Sequence, residues 1–194
     1  MAVVRLIAPL DDAVSDAELI ERMADGDREA LGTLFDRHHR ALYGFLARAS
    51  DAEEPEIEDL VQTAFLEAFR AAARFRGTSS PRTWLFAIGG NIAKMHRRAT
   101  RRRTRAIQRL AAQPERTATA LDARVAVQRA LAQVEVALAA LPHRLRVAYV
   151  MCVIEGVATD DAARALGIAR GSIWRRVHLA RQQLRAAVEP EVKS

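Results

Sequence analysis

Residues 159–185 read TDDAARALGIARGSIWRRVHLARQQLR, the pattern of two short helices meeting at Gly167. Thr159 is placed to cap the first helix, since its hydroxyl can accept from a free N–H of the first turn. Asp160 and Asp161 follow, where the positive end of the helix dipole favours carboxylates. Ala162, Ala163 and Leu166 supply small or apolar contacts at helical spacing. Gly167 tolerates a positive φ and suits the end of that helix. Ile173, Val177, Ala180 and Leu184 then recur every three or four residues and give the second helix one buried stripe. Arg170, Ser172, Trp174, Arg175, His178 and Arg181 fall largely off that stripe. Between Asp161 and Glu189 stand six arginines and no acid. The segment reads as a helix-turn-helix with a basic outer face, which points to DNA. The competing reading is an ordinary helical hairpin with a solvated basic surface.

The rest of the chain supports a polyanionic partner. Its 194 residues suit one or two domains, and half of them are apolar, enough for a real core. The formal charge is +6, and its distribution matters more than its total. Residues 1–93 carry a net charge of −6, residues 94–109 hold eight bases and no acid, and residues 164–188 add +6. Two basic islands on an otherwise acidic chain suit two separate contacts with nucleic acid. Cys152 stands alone, so one chain can form no disulfide framework, and a reducing cytoplasm fits. In its apolar run it reads as a small buried hydrophobe. The opening MAVVRLIAPLDD is too short in apolar residues for a signal peptide, and no run approaches a membrane span. The expectation is a soluble, cytoplasmic protein.

The periodicity is helical almost throughout. It predicts helices over 16–24, 28–49, 56–74, from Pro81 into the arginine cluster, 122–140 and 143–154, ahead of the helix-turn-helix. Leu31, Leu34, Phe35, Leu42, Phe45 and Leu46 form the apolar side of the second. Ile57, Leu60, Val61, Ala64, Phe65, Ala68 and Phe69 form that of the third. Residues 75–82, FRGTSSPR, are a loop by composition. Residues 99–121, basic and then polar with Pro114 inside, read as a linker. The fold class is therefore all-α: two small helical domains, 12–98 and 122–188, joined by a flexible basic linker.

Catalysis finds no support. His38 and His39 are adjacent and cannot share a helix face as an i, i+4 metal pair does, and no carboxylate or cysteine stands at ligand spacing beside them. There is no phosphate-binding glycine loop and no nucleophile motif. No cofactor, metal or small-molecule substrate is expected.

Four segments in order carry a resemblance. They are MADGDREALGTLFDRHHRALYGF (23–45), EDLVQTAFLEAF (58–69), FRGTSSPRTWLFAIGGNIAKMHRR (75–98) and ALAALPHRLRVAYVMCVIEGVATDDAARALGIARGSIWRRVHLARQQLR (137–185). Together they resemble the bacterial sigma factors of the extracytoplasmic-function (ECF) type, over nearly everything from Asp16 to Val188. The resemblance implies a promoter-specificity subunit that binds core RNA polymerase, recognises the −35 and −10 promoter elements and opens the duplex at the second. It implies polymerase contacts by Asp59, Gln62, Thr63 and Glu67, although relatives usually carry an acid at the position of Thr63. It implies −10 contacts by the loop Phe75, Arg76, Gly77, Thr78, Ser79 and Ser80, then by Trp84, Asn91, Lys94, Arg97, Arg98 and Arg101. It places −35 contacts on Arg170, Gly171, Ser172, Trp174, Arg175, Arg176 and His178. An anti-sigma protein is implied as a further partner.

Physical reasons stand beside these assignments. Extruding a base costs a few kcal/mol, which a small polar loop can offset by meeting its Watson–Crick edge. An exposed ring among Phe75, Trp84 and Phe86 can stack on a base for about 1–3 kcal/mol; the alternative is that these rings belong to the core, and Trp84 shares a helical face with Ile88. Arg101 to Arg109 read either as phosphate contacts or as a solvated linker. Ala169 stands where relatives often carry a capping serine or threonine, and Trp174 where a base is common. Trp174 fits a thymine methyl or sugar and equally a protein partner. The alternative function is a helix-turn-helix regulator that is not a polymerase subunit; a DNA-processing enzyme is a third reading, but the nucleophile it needs is not visible.

Overall fold

The computed structural model describes residues 14–108 and 133–188. They form α1 (Asp16–Ala24), α2 (Arg28–Ala49), α3 (Glu54–Ala71), α4 (Pro81–Gln108), α5 (described over 133–140), α6 (His143–Tyr149), α7 (Thr159–Ala165) and α8 (Arg170–Val188). A 3-10 turn, Ala72–Arg74, continues α3, and a π turn, Val150–Ile154, continues α6. Among the described residues there is no strand, in keeping with the all-α expectation.

Local chemistry sets the helix starts. Ser15 and Glu18 form a reciprocal capping box on α1, with Glu18 N–H donating to Ser15 Oγ at 3.2 Å and Ser15 N–H to Glu18 Oε2 at 2.7 Å. Asp27 Oδ1 accepts from the N–H groups of Glu29 and Ala30 and caps α2. Helix α3 begins at Glu54, two residues before the expected start. Pro55 lies in the first turn, where its missing N–H costs nothing, and Glu56 reaches back to the N–H of Glu53 at 3.1 Å. Helix α4 runs to Gln108, so the first ten residues assigned to the linker are helical; arginine and alanine are good helix formers and no breaker intervenes. The rest of the linker, the predicted helix before residue 133, and residues 12 and 13 lie outside the described residues.

Helices α1–α4 form one group around Leu34, Leu42, Leu46, Val61, Ala64 and the fully buried pair Phe45 and Phe86, whose rings stack at 4.8 Å. Helices α5–α8 form a second group around Leu141, Val150, Met151, Ala162, Ile173 and Ala180. The two groups are packed together. Arg146, on α6, is 5% exposed, and it donates to the carbonyls of Arg48 and Ser50 at the end of α2 and to the Asp51 carboxylate. A cation is favoured there by the negative end of the α2 dipole. Arg97 Nε lies 2.8 Å from the same Asp51, and Arg97 also donates to Leu141 O. Glu155 pairs with Arg82 at 2.8 Å and with Arg48 at 3.6 Å. His143 Nε2 donates to Gly90 O at 2.9 Å. At Gly90 a Cβ would sit 3.2 Å from Val147 Cγ1, so the absence of a side chain there lets α4 and α6 approach.

Candidate nucleic-acid interface

Helix α8 presents the surface expected of a recognition helix. Ile173, Val177 and Ala180 are buried, while Arg170, Gly171, Ser172, Trp174, Arg175, His178 and Arg181 are exposed. The turn before it is tight, with Gly167 at φ +62°, a left-handed conformation that suits glycine. Two expectations at the caps are resolved. Ala158, not Thr159, occupies the N-cap of α7, and Thr159 is already the first helical residue. Helix α8 starts with Ala169 accepting the first N–H bonds, from Ser172 and Ile173, so no hydroxyl caps it. Trp174 is 65% exposed and stacks on His178 at 5.5 Å with the rings 7° from parallel, forming a flat aromatic ledge. Arg170 is held by Asp160 at 2.8 Å.

Arg175 and Arg176 looked equivalent in sequence, and the structure separates them. Arg175 is exposed, whereas Arg176 is half-buried, and burial and then nearby Arg144 lower its pKa. Arg176 turns into a cleft of about 590 Å³ between the helix groups, shared with Lys94, Arg98, His143 and Arg144. The two basic islands of the sequence thus meet in one place.

The loop before α4 is also better defined than its composition suggests. Arg76, Gly77, Thr78 and Ser80 are exposed, but Ser79 is 7% exposed and packed. Phe75 and Trp84 pack at 5.0 Å, both half-buried. Trp84 therefore belongs partly to the core while one side lines a groove of about 930 Å³ between α3 and α4, together with Thr63, Glu67, Asn91 and Arg98. Phe86 is fully buried and has no surface for a base. Asn91, Lys94 and Arg98 are exposed along α4. Arg97 departs from expectation: its side chain is 12% exposed and engaged by Asp51 and Leu141, because the second helix group covers that face of α4. The Arg101 side chain lies outside the described residues.

Ser80 stands at the start of α4, where its carbonyl accepts from Trp84 N–H at 2.9 Å and its Oγ from Thr83 N–H at 3.1 Å. The Asp161 carboxylate of α7 reaches this helix start, accepting from Ser80 N–H at 3.1 Å and from the Thr83 hydroxyl at 2.6 Å. Burial opposes ionisation of Asp161, but those hydrogen bonds outweigh it and hold its pKa below the usual aspartate value. Arg164 donates to Thr78 O.

On α3, Asp59 and Gln62 are exposed and Leu66, one turn on, is 53% exposed. The Thr63 hydroxyl donates to Asp59 O at 2.7 Å, and Glu67 pairs with Arg70. The exposed leucine was hidden in sequence by the apolar run around it. The joint residues Asp51, Arg146 and Glu155 were missed as well; the one available signal was an arginine inside the apolar stretch 145–154. The paired histidines are structural: His38 meets Asp16 at 2.6 Å, and His39 stacks on Phe35 at 5.1 Å. Among the described residues no three His, Cys, Asp or Glu side chains gather as metal ligands. Burial pushes the Cys152 thiol pKa up, which suits a packing residue. No described helix is long and apolar enough to cross a membrane.

Comparison with known proteins gives this arrangement a context. The Sigma-70 region 2 family matches residues 34–103, and the Sigma-70, region 4 family matches residues 131–184. The sequence is 36% identical over 171 residues to the ECF RNA polymerase sigma factor SigM of Mycobacterium tuberculosis, covering 88% of this chain and 83% of the relative. It is 30% identical over 193 residues to the RNA polymerase sigma-H factor of Pseudomonas aeruginosa, covering 90% and 94%. Among solved structures, CnrH in complex with the cytosolic domain of CnrY matches with a TM-score of 0.64 at 28% identity, over 92% of this chain and 99% of that one. The sigma factor RpoE of Bartonella quintana, in complex with the anti-sigma factor NepR, matches with a TM-score of 0.56 at 26% identity, over 80% and 94%. On these matches, reaching both helix groups of one chain, the protein belongs to the ECF sigma factors of bacterial RNA polymerase.

Proposed function

We propose that this sigma factor divides its work among three surfaces and acts as an initiation factor in the cytoplasm, directing core RNA polymerase to promoters. The observation that carries the division is that the three candidate residue sets lie on three different elements. Asp59, Gln62 and Leu66 form the exposed face of α3; with Thr63 and Glu67 beside them, they are the polymerase-binding set. A helix face with a central apolar side chain and polar neighbours has the make-up of a docking surface. The second set is the loop 75–80 with Trp84, Asn91, Lys94 and Arg98, which engages the −10 element. The small polar loop receives an extruded base, and Lys94 and Arg98 hold phosphates, each adding about one unit to the salt dependence of binding. The third set is the exposed face of α8, which engages the −35 element. There Arg175 is the leading candidate for guanine, whose O6 and N7 an arginine grips bidentately, and the Trp174–His178 ledge offers an apolar contact to a thymine methyl. We assign 12–98 to polymerase and −10 functions and 122–188 to −35 recognition.

An anti-sigma protein is a further partner in this reading. Its support is that two similar solved structures are complexes, one with the cytosolic domain of CnrY and one with an anti-sigma factor.

The test separates the surfaces. Asp59→Ala and Gln62→Ala should weaken co-purification with core polymerase by about tenfold and leave −35 DNA binding by the assembled holoenzyme unchanged per bound sigma. Arg175→Ala should do the reverse, costing about 1–3 kcal/mol in binding to the −35 element. A wild-type chain that binds DNA but never joins core polymerase would overturn the reading in favour of a stand-alone regulator.

A further inference from the structure

The joint between the helix groups pairs some of its cations and leaves others unmatched. Arg97 and Arg146 share Asp51, and Arg82 and Arg48 share Glu155. Lys94 and Arg98 of α4, Arg144 of α6 and Arg176 of α8 converge instead on the cleft of about 590 Å³. None of these four pairs with a carboxylate among the described residues, and no carboxylate lines the cleft. Like charges gathered from three helices repel, and burial adds to the cost. Arg176 is half-buried, and desolvation first and Arg144 second lower its pKa. An anion seated among the four cations relieves both penalties.

The chemistry of the walls narrows the class of anion. Arginine grips phosphate oxygens with its planar fork, and lysine meets them as a point charge. A compact chain of phosphates brings several negative charges within reach of all four cations. One wall is apolar, with Pro142, Leu166 and Ile168 lining it. A bare polyphosphate would leave that wall in water, whereas a sugar and base would cover it. The volume is in the range of small-molecule sites.

We propose that this cleft is a binding site for a nucleoside polyphosphate, with the phosphates among Lys94, Arg98, Arg144 and Arg176 and the nucleoside against Pro142, Leu166 and Ile168. No motif announces the site, because its cations come from three separate helices. It binds rather than cleaves, since no carboxylate stands there to activate a water. The ligand touches both helix groups, so it stabilises the folded chain and the joint within it. The site holds whether or not Lys94 and Arg98 also meet promoter phosphates.

The experiment uses the full chain, freed of nucleic acid, without polymerase or promoter DNA. Each of the four ribonucleoside triphosphates is titrated in turn by calorimetry, with no divalent metal. Salt is held at about 0.15 M, where charges more than about 8 Å apart are screened. At least one should bind saturably at one site with a Kd below about 100 µM, and should raise the melting temperature as its concentration rises. Arg144→Ala and Arg176→Ala should each weaken that binding at least about fivefold. The double variant Arg28→Ala with Arg40→Ala removes two exposed cations that do not line the cleft, and should change it less than about twofold. Tripolyphosphate, which carries the phosphates without the nucleoside, should bind at least about tenfold more weakly than the tightest nucleotide. Circular dichroism confirms that each variant is folded. Absence of saturable binding by all four nucleotides would overturn the site, as would equal losses in the cleft variants and the double variant. Tripolyphosphate binding as tightly as the nucleotide would overturn the nucleoside class. The sigma-factor reading stands or falls separately, on co-purification with core polymerase.

Discussion

Arg146 and His143 sit one turn apart on α6 and solve opposite problems. Arg146 keeps its charge under burial because Asp51 and two carbonyls satisfy it, although burial still lowers its pKa. His143 is pushed toward its neutral form. Burial is the largest cause of its lowered pKa; the bond to Gly90 opposes it, and Arg97, Arg146 and Lys94 add to it. Its folded-state pKa lies below that of the unfolded chain, so the unfolded chain takes up the proton first as pH falls through about 6.5. The stability His143 contributes is complete above that pH and is lost as pH drops toward the folded value. Melting temperature should therefore fall between about pH 7.5 and about pH 5.5, and fall less in His143→Gln, as differential scanning fluorimetry would record. An equal fall in both would assign the acid sensitivity elsewhere.

Helices show where sequence patterns translate directly and where they do not. The bounds of α1 and α2 agree with the periodicity because Ser15, Asp27 and the Asp25-Gly26-Asp27 break act locally. The start of α7 disagrees: a threonine before two aspartates has the composition of a cap, yet Ala158 holds the N-cap. Composition does not show which residue turns first out of the extended backbone. The difference is measurable. Asp27→Ala should cost about 1 kcal/mol, the usual loss for a capping carboxylate, whereas Thr159→Ala should change stability by no more than about 0.5 kcal/mol, as at an ordinary surface position. Chemical denaturation of the two variants distinguishes them. Helix α4 teaches the same lesson at its other end. Its arginine run read as linker by charge, but helix propensity carries the helix on to Gln108.

At the scale of the whole molecule, the joint between the helix groups depends on one close approach. Gly90 admits Val147, and a methyl group there would lie 3.2 Å from it, while the nearest atom of its own helix group, in Phe45, would be 3.9 Å away. Gly90→Ala and then Gly90→Leu should loosen the joint progressively while improving helix propensity in α4. Hydrogen exchange checks this: amides of 143–154 should exchange faster, with those of α2 and α3 unchanged. Uniform exchange across both groups would mean that the joint does not govern local opening.

The sequence by itself determined the all-α class, most helix bounds, the buried stripe of α8 and the family, because each is written in local periodicity or in motifs on contiguous residues. The tertiary structure alone decided that Arg97 and Arg176 turn inward, that Trp84 is half packed, that Leu66 is exposed, and that Asp161 meets Ser80 and Thr83. Those outcomes depend on which faces of distant helices cover one another. The joining contacts are polar contacts between residues 44 or more positions apart, such as Arg97 with Leu141, Ser80 with Asp161 and Arg146 with Arg48, and no periodicity in one chain records such a pairing.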